Sequence, residues 1–189
     1  VGSPYKIIYE ETREGKVDLV VMGTTGTSNW EEELVGSNAE KVVRKAKCPV
    51  LTVSQPVGVD QIKKIAYASD FGHDHAKLIK ILKEFATLFE AEIHLVMINT
   101  PSDFKNDKEN YAILKSFAEE NKLDNYEVHV YNYENEEDGI ISFAEQFGMN
   151  MIVMATEGRT GFSRLLEGSI AEDVVNYSNI PVLTYRLDD

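Results

Sequence analysis

Two loops in this sequence have the residue types of a phosphate cradle. One runs Gly23-x2-Gly26-x9-Gly36-Ser37, the other Ala155-x2-Gly158-x9-Gly168-Ser169. Each follows a short Val/Met-rich segment and precedes a segment with helical spacing. Small residues at a strand end let the backbone approach an anion closely. Successive N–H groups in such a loop form an anion-binding concavity. The Gly-Ser pair then opens a helix whose first N–H groups and positive dipole end face the same point, with Ser37 and Ser169 as caps or hydroxyl donors. Taken singly, such a loop is more often a plain strand-loop-helix turn with a capping serine. Recurrence at identical spacing favours the phosphate reading.

That recurrence belongs to a longer repeat. Residues 16–53 align without a gap onto 148–185, an offset of 132, and fifteen of the 38 pairs are identical. Val21-Met22 matches Val153-Met154, Ala39-Glu40 matches Ala171-Glu172, and Pro49-Val50-Leu51-Thr52 matches Pro181-Val182-Leu183-Thr184. Only 15 residues precede the first repeat block. The first copy is therefore expected to comprise residues 1–54 and to lack its N-terminal half, with a linker at 55–62 and a complete second copy at 63–189.

The elements that must position these loops alternate. In the second copy, apolar runs predict strands at 64–69, 92–98, 126–131, 149–155 and 181–186. Three- and four-residue apolar spacing predicts helices at 74–90, 108–122, 137–147 and 169–177. The order β-α-β-α-β-α-β-α-β argues for a parallel sheet with helices on both faces. Ligands of such sheets bind at the carboxyl ends of the strands, where the strand order reverses. The first copy supplies the third helix at 4–15, the fourth strand at 18–23, the fourth helix at 37–47 and the fifth strand at 50–54.

The glycine pattern, the following Ala-Glu-x-Val-Val, the Pro-Val-Leu strand and Asp70 within Ala68-Ser69-Asp70-Phe71 together resemble the nucleotide-binding signature of universal stress proteins. The resemblance covers essentially the whole chain. It implies a flavodoxin-like five-stranded parallel sheet in the order 3-2-1-4-5, and an adenine nucleotide, ATP or AMP, with Mg2+ a companion in any hydrolysis. By position it implies that Asp70 contacts the nucleoside, that Ala68 lies beside the base and that Met97 flanks the adenine. Met154, Ala155, Gly158, Gly168, Ser169 and Ile170 then line the phosphate side. It also implies that fifth strands meet about a pseudo-twofold axis. The sequence departs from the signature where Ala155 replaces the first glycine. The first copy keeps Gly23, Gly26, Gly36 and Ser37 but carries Glu31-Glu32-Glu33 in its loop, where the second has Arg159 and Arg164, which suit phosphates better. The first copy also has no counterpart of Asp70, so the second is the expected site.

Bulk properties narrow the classes. The 189 residues carry a net charge of −13, a field that repels nucleic acid, so a nucleotide site must rest on local backbone donors. No apolar run approaches the roughly 20 residues of a membrane span. Cys48 is the single cysteine, which excludes an intrachain disulfide and fits a cytoplasmic setting; it reads as a small apolar residue at a strand start. His73-Asp74-His75 has ligand chemistry for zinc but nothing in sequence completes the shell. Trp30 and Phe162 align between the copies as packing residues. A binding module is favoured over a slow ATPase, because no Walker-type Lys is present and Glu157 is the only carboxylate near a γ-phosphate. A nucleotide-free scaffold is the third reading. Association with a second copy or with the missing N-terminal part is expected to cover the open side of the first copy's fourth strand.

Overall fold

The computed structural model describes residues 4–24, 37–72, 76–157 and 170–187. They fall into two compact units, Val57–Met154 and a second formed by Val1–Pro56 with Ala155–Asp189. Among the described residues no helix is long and apolar enough to cross a membrane.

In Val57–Met154, strand β3 (Lys64–Ala68) leads to helix α3 (Ala76–Phe89), β4 (Glu92–Asn99), α4 (Asp107–Glu120), β5 (Tyr126–Asn132), α5 (Glu136–Gln146) and the start of β6 (Met151–Glu157). The strands order as β6-β3-β4-β5, all parallel. These are the first four places of the expected 3-2-1-4-5 order, and the architecture is the α/β class the alternation implied. Helix boundaries follow from local chemistry. Asn106 caps α4 by accepting the Glu109 N–H, and Asn135 caps α5 by accepting that of Asp138, each satisfying an N–H with no intrahelical partner. Gly148 follows α5 with φ +66°, a left-handed terminus open to glycine at little cost. Helices cover both faces of the sheet. Tyr67 of β3 stacks on Phe117 of α4, whereas α5 lies across the opposite face, so close to β4 that a Cβ on Gly139 would meet Ile98 Cγ2 at 2.6 Å. Ile65, Leu78, Leu82, Leu95, Leu114 and Phe143 are fully buried between these layers.

The other unit contains α1 (Pro4–Arg13), β1 (Val20–Gly23), α2 (Ser37–Lys45), β2 (Val50–Val53), α6 (Ile170–Tyr177) and β7 (Val182–Leu187). β1 and β2 are parallel. β2 and β7, the fifth strands of the two copies, pair antiparallel in the register Val50↔Thr184, Leu51↔Leu183 and Thr52↔Val182. With the 132-residue offset of the repeat, this register is its own mirror: a local twofold axis passes between Leu51 and Leu183. The side chains obey it. Thr52 Oγ1 donates to the Val182 carbonyl at 3.1 Å, and Thr184 Oγ1 to that of Val50 at 3.3 Å. Two strands that the sequence leaves with unpaired edges thus satisfy each other. Arg44 breaks the symmetry. Its guanidinium grips Glu172 bidentately at 2.8 and 2.6 Å and reaches Glu40, the counterpart of Glu172, at 2.9 Å.

Candidate functional site

The carboxyl end of β3 is the best-defined part of the expected site. β3 is central, so its last residue, Ala68, is flanked by Val96 of β4 and Met154 of β6. Ala68, Met97 and Met154 are all buried. Beyond Ala68 the chain turns sharply. Phe71 holds φ +58°, a left-handed conformation that costs a bulky residue about 1–3 kcal/mol unless its surroundings enforce it. Here the ring is the enforcement: it is buried edge-on against Tyr67 at 5.8 Å and Phe117 at 4.9 Å. The Phe71 N–H donates to Ser69 Oγ and the Gly72 N–H to Asp70 Oδ1, each at 3.0 Å. Ser69 also hydrogen-bonds the Tyr67 hydroxyl, whose pKa burial drives upward. The result is an Asp70 carboxylate that is exposed yet held by a turn anchored in the core.

Where β4 and β5 end lies a cleft of ≈ 870 Å3 lined by Asn99, Thr100, Pro101, Phe104, Asn132, Tyr133, Glu134 and Asp138. This volume suits a small-molecule site. Asn99, which lines it, belongs to an amide network with buried Asn110 and exposed Asn132. Asn99 Nδ2 donates to Asn132 Oδ1 at 2.8 Å, and Asn99 Oδ1 accepts from the Lys105 N–H at 3.0 Å and from Asn110 Nδ2 at 3.3 Å. Among the described residues, Asn110 Oδ1 is buried without a hydrogen-bond partner. The usable signal was an Asn at the end of each of two adjacent strands, Asn99↔Asn132.

Of the residues singled out from sequence, Ala68, Asp70, Met97 and Met154 come together at one end of the β6-β3-β4 sheet. Ala155 continues β6 in extended conformation, which an L-residue adopts freely, so its methyl imposes no backbone strain. Gly23 ends β1 and is exposed, Ser37 begins α2, and Ile170 begins α6; these three lie in the other unit. The first turn of α6 carries Glu172 and Asp173, and Glu172 is neutralised by Arg44. Gly26, Gly36, Gly158, Arg159, Gly168 and Ser169 lie outside the described residues. So do Trp30, Glu31-Glu32-Glu33, His73-Asp74-His75, Phe162, Arg164 and the side chain of Glu157.

The geometry can be set beside known proteins. The universal stress protein family model matches residues 1–54 and 61–186. Universal stress protein Slr1230 of Synechocystis is 24% identical over 181 residues, covering 93% of this chain and 60% of its own length. The chain therefore spans little more than half of that relative. A crystal structure of a universal stress protein from Archaeoglobus fulgidus superposes with a TM-score of 0.77 at 21% identity, covering 98% of this chain and 67% of that one. A universal stress protein crystallised in complex with cAMP matches with a TM-score of 0.54 at 16% identity, covering 67% of this chain and 98% of its own. These structural likenesses carry the fold, and the family match carries membership: the chain belongs to the universal stress protein family.

Proposed function

We propose that this chain binds an adenine nucleotide, ATP or AMP, through its second copy, residues 63–189, and acts as a nucleotide-responsive module. The observation that carries the reading is the rigid presentation of Asp70. A carboxylate fixed by a strained, core-anchored turn at the carboxyl end of a central parallel strand is placed as a ribose ligand is in open α/β sheets. In this reading the base lies against the strand ends beside it, at Ala68 and Met97, both buried. The cAMP complex of a family relative supports a purine nucleotide as the ligand class. The phosphate contacts fall to the loop after β6, with Gly158, Arg159, Gly168 and Ser169, and to the opening turn of α6 at Ile170. In the same reading, residues 1–54 are a copy of the same module, joined through 55–62. Its loop, with Gly23, Gly26, Gly36 and Ser37, also carries Glu31-Glu32-Glu33, carboxylates that disfavour a phosphate.

Binding is favoured over hydrolysis because the second copy's loop carries no Walker-type lysine. Releasing small molecules from purified protein by denaturation, followed by calorimetry with ATP, AMP and GTP, tests the reading. Adenine nucleotide released or bound, with GTP binding at least tenfold weaker, is the expected result. Absence of any nucleotide binding at millimolar concentration would falsify it.

A further inference from the structure

Two adjacent strands each carry Glu-x-His: Glu92-Ile93-His94 on β4 and Glu127-Val128-His129 on β5. With a side-chain period of two and the register His94↔Glu127 and Val96↔His129, all four groups share the face covered by α5. His94 Nδ1 lies 3.0 Å from His129 Nε2, and these two nitrogens lie 3.7 and 3.5 Å from Glu127 Oε2. Tetrahedral zinc with bonds of about 2.0–2.2 Å separates its donor atoms by about 3.4 Å. The three measured separations bracket that value.

We propose that His94 Nδ1, His129 Nε2 and Glu127 form a zinc(II) site, with Glu92 as the outer partner that orients His94. The second observation is on the far side of the His94 ring. His94 is 3% exposed, and its Nε2 faces Glu92 Oε2 at 3.2 Å. A bare nitrogen lone pair facing a carboxylate is repulsive, so Nε2 must carry the proton. Nδ1 is then left with its lone pair toward His129 and Glu127. A metal-bound imidazole has this arrangement, its other nitrogen donating to a carboxylate. In the metal-free state His129 Nε2–H donates to His94 Nδ1; on coordination that proton shifts to His129 Nδ1, with no net release. Burial holds both imidazoles below their usual pKa, against the upward pull of Glu92 and Glu127. The wall is set by Phe143 and Phe147, whose rings lie 5.0 and 5.7 Å from that of His129. His94 precedes Asn99, at the end of β4, by five residues, or about 16 Å of strand, so the site is independent of the nucleotide reading.

Titrating the full chain with zinc, and in parallel with cobalt(II) followed by visible absorption, tests this. One ion per chain, a tetrahedral cobalt spectrum and a melting temperature that rises with zinc are expected. Glu127→Gln, on a side chain 56% exposed, and His129→Gln should each weaken zinc at least tenfold without altering the far-ultraviolet circular dichroism. No stoichiometric ion at about 100 μM zinc overturns the proposal. So does parent-like affinity in a folded Glu127→Gln protein, which would place the ion elsewhere.

Discussion

Val21 and Val153 occupy the same place in the repeat and live in different environments. Val21 is 59% exposed on β1; Val153, on β6, is fully buried. Their neighbours in sequence are nearly the same, Val-Val-Met-Gly against Ile-Val-Met-Ala. The difference is one strand: β6 has β3 beside it, with Tyr67↔Val153 in register, and among the described residues β1 pairs with β2 alone. A repeated sequence thus specifies a repeated strand, while burial comes from what the chain lays alongside. The same rule separates the two candidate sites, since the strand that buries Val153 also leads into the turn that holds Asp70.

The largest test of this contrast is Val→Asp at both positions. Val153→Asp puts a carboxylate in the interior of the sheet and should cost more than about 4 kcal/mol, enough to unfold the chain, whereas Val21→Asp should stay within about 0.5 kcal/mol. Urea denaturation of the pair reads both, and equal costs would break the account. Next comes Arg44, which has Asn176 as its counterpart in the second copy. Arg44→Met removes the cation from Glu172, whose side chain is 8% exposed, and should cost about 1–3 kcal/mol. Arg44→Met/Glu172→Leu should recover most of it, because the loss is a stranded charge. A smaller effect is expected at Cys48, which takes the place of Ile180 in the second copy and is buried. Burial raises its thiol pKa, so the folded state keeps a proton that the unfolded state releases. Stability from this group is present below about pH 9 and declines as pH rises through that value. Thermal melts from pH 8 to 10 should fall more steeply for the parent than for Cys48→Ala, and native-state thiol labelling should be several-fold slower than in denaturant. The smallest effect is Asn176→Arg, which restores the twofold by offering Glu40 its own guanidinium. An exposed pair of this kind should change the melting temperature by no more than about 0.5 kcal/mol equivalent.

Much of the architecture was legible because it is written in local periods. Ile79, Leu82 and Phe85 mark α3, Ile93 to Ile98 mark a buried parallel strand, and the offset between Val50 and Val182 marks the repeat. Asp70 could be singled out through the family resemblance of Ala68-Ser69-Asp70-Phe71, but the turn that holds it could not. Nothing in Asp70-Phe71-Gly72 signals that Phe71, rather than Gly72, takes the positive φ, because that choice is made by Tyr67 and Phe117 from elsewhere in the chain. The histidines show the same limit. His73-Asp74-His75 draws the eye because it is contiguous, whereas His94 and His129 become neighbours only through the register of β4 on β5. The Glu-x-His repeated on two strands was visible in sequence, and its meaning required the pairing.

The central claim is that the second copy, and not the first, holds nucleotide, with Asp70 as the group that selects it. Calorimetric titration of ATP onto the parent and onto Asp70→Ala decides it. One ATP per chain for the parent, and affinity weakened by about 10- to 100-fold in a folded Asp70→Ala protein, matches the loss of a hydrogen bond to a charged group. Two ATP per chain, or an Asp70→Ala isotherm indistinguishable from the parent, would contradict it.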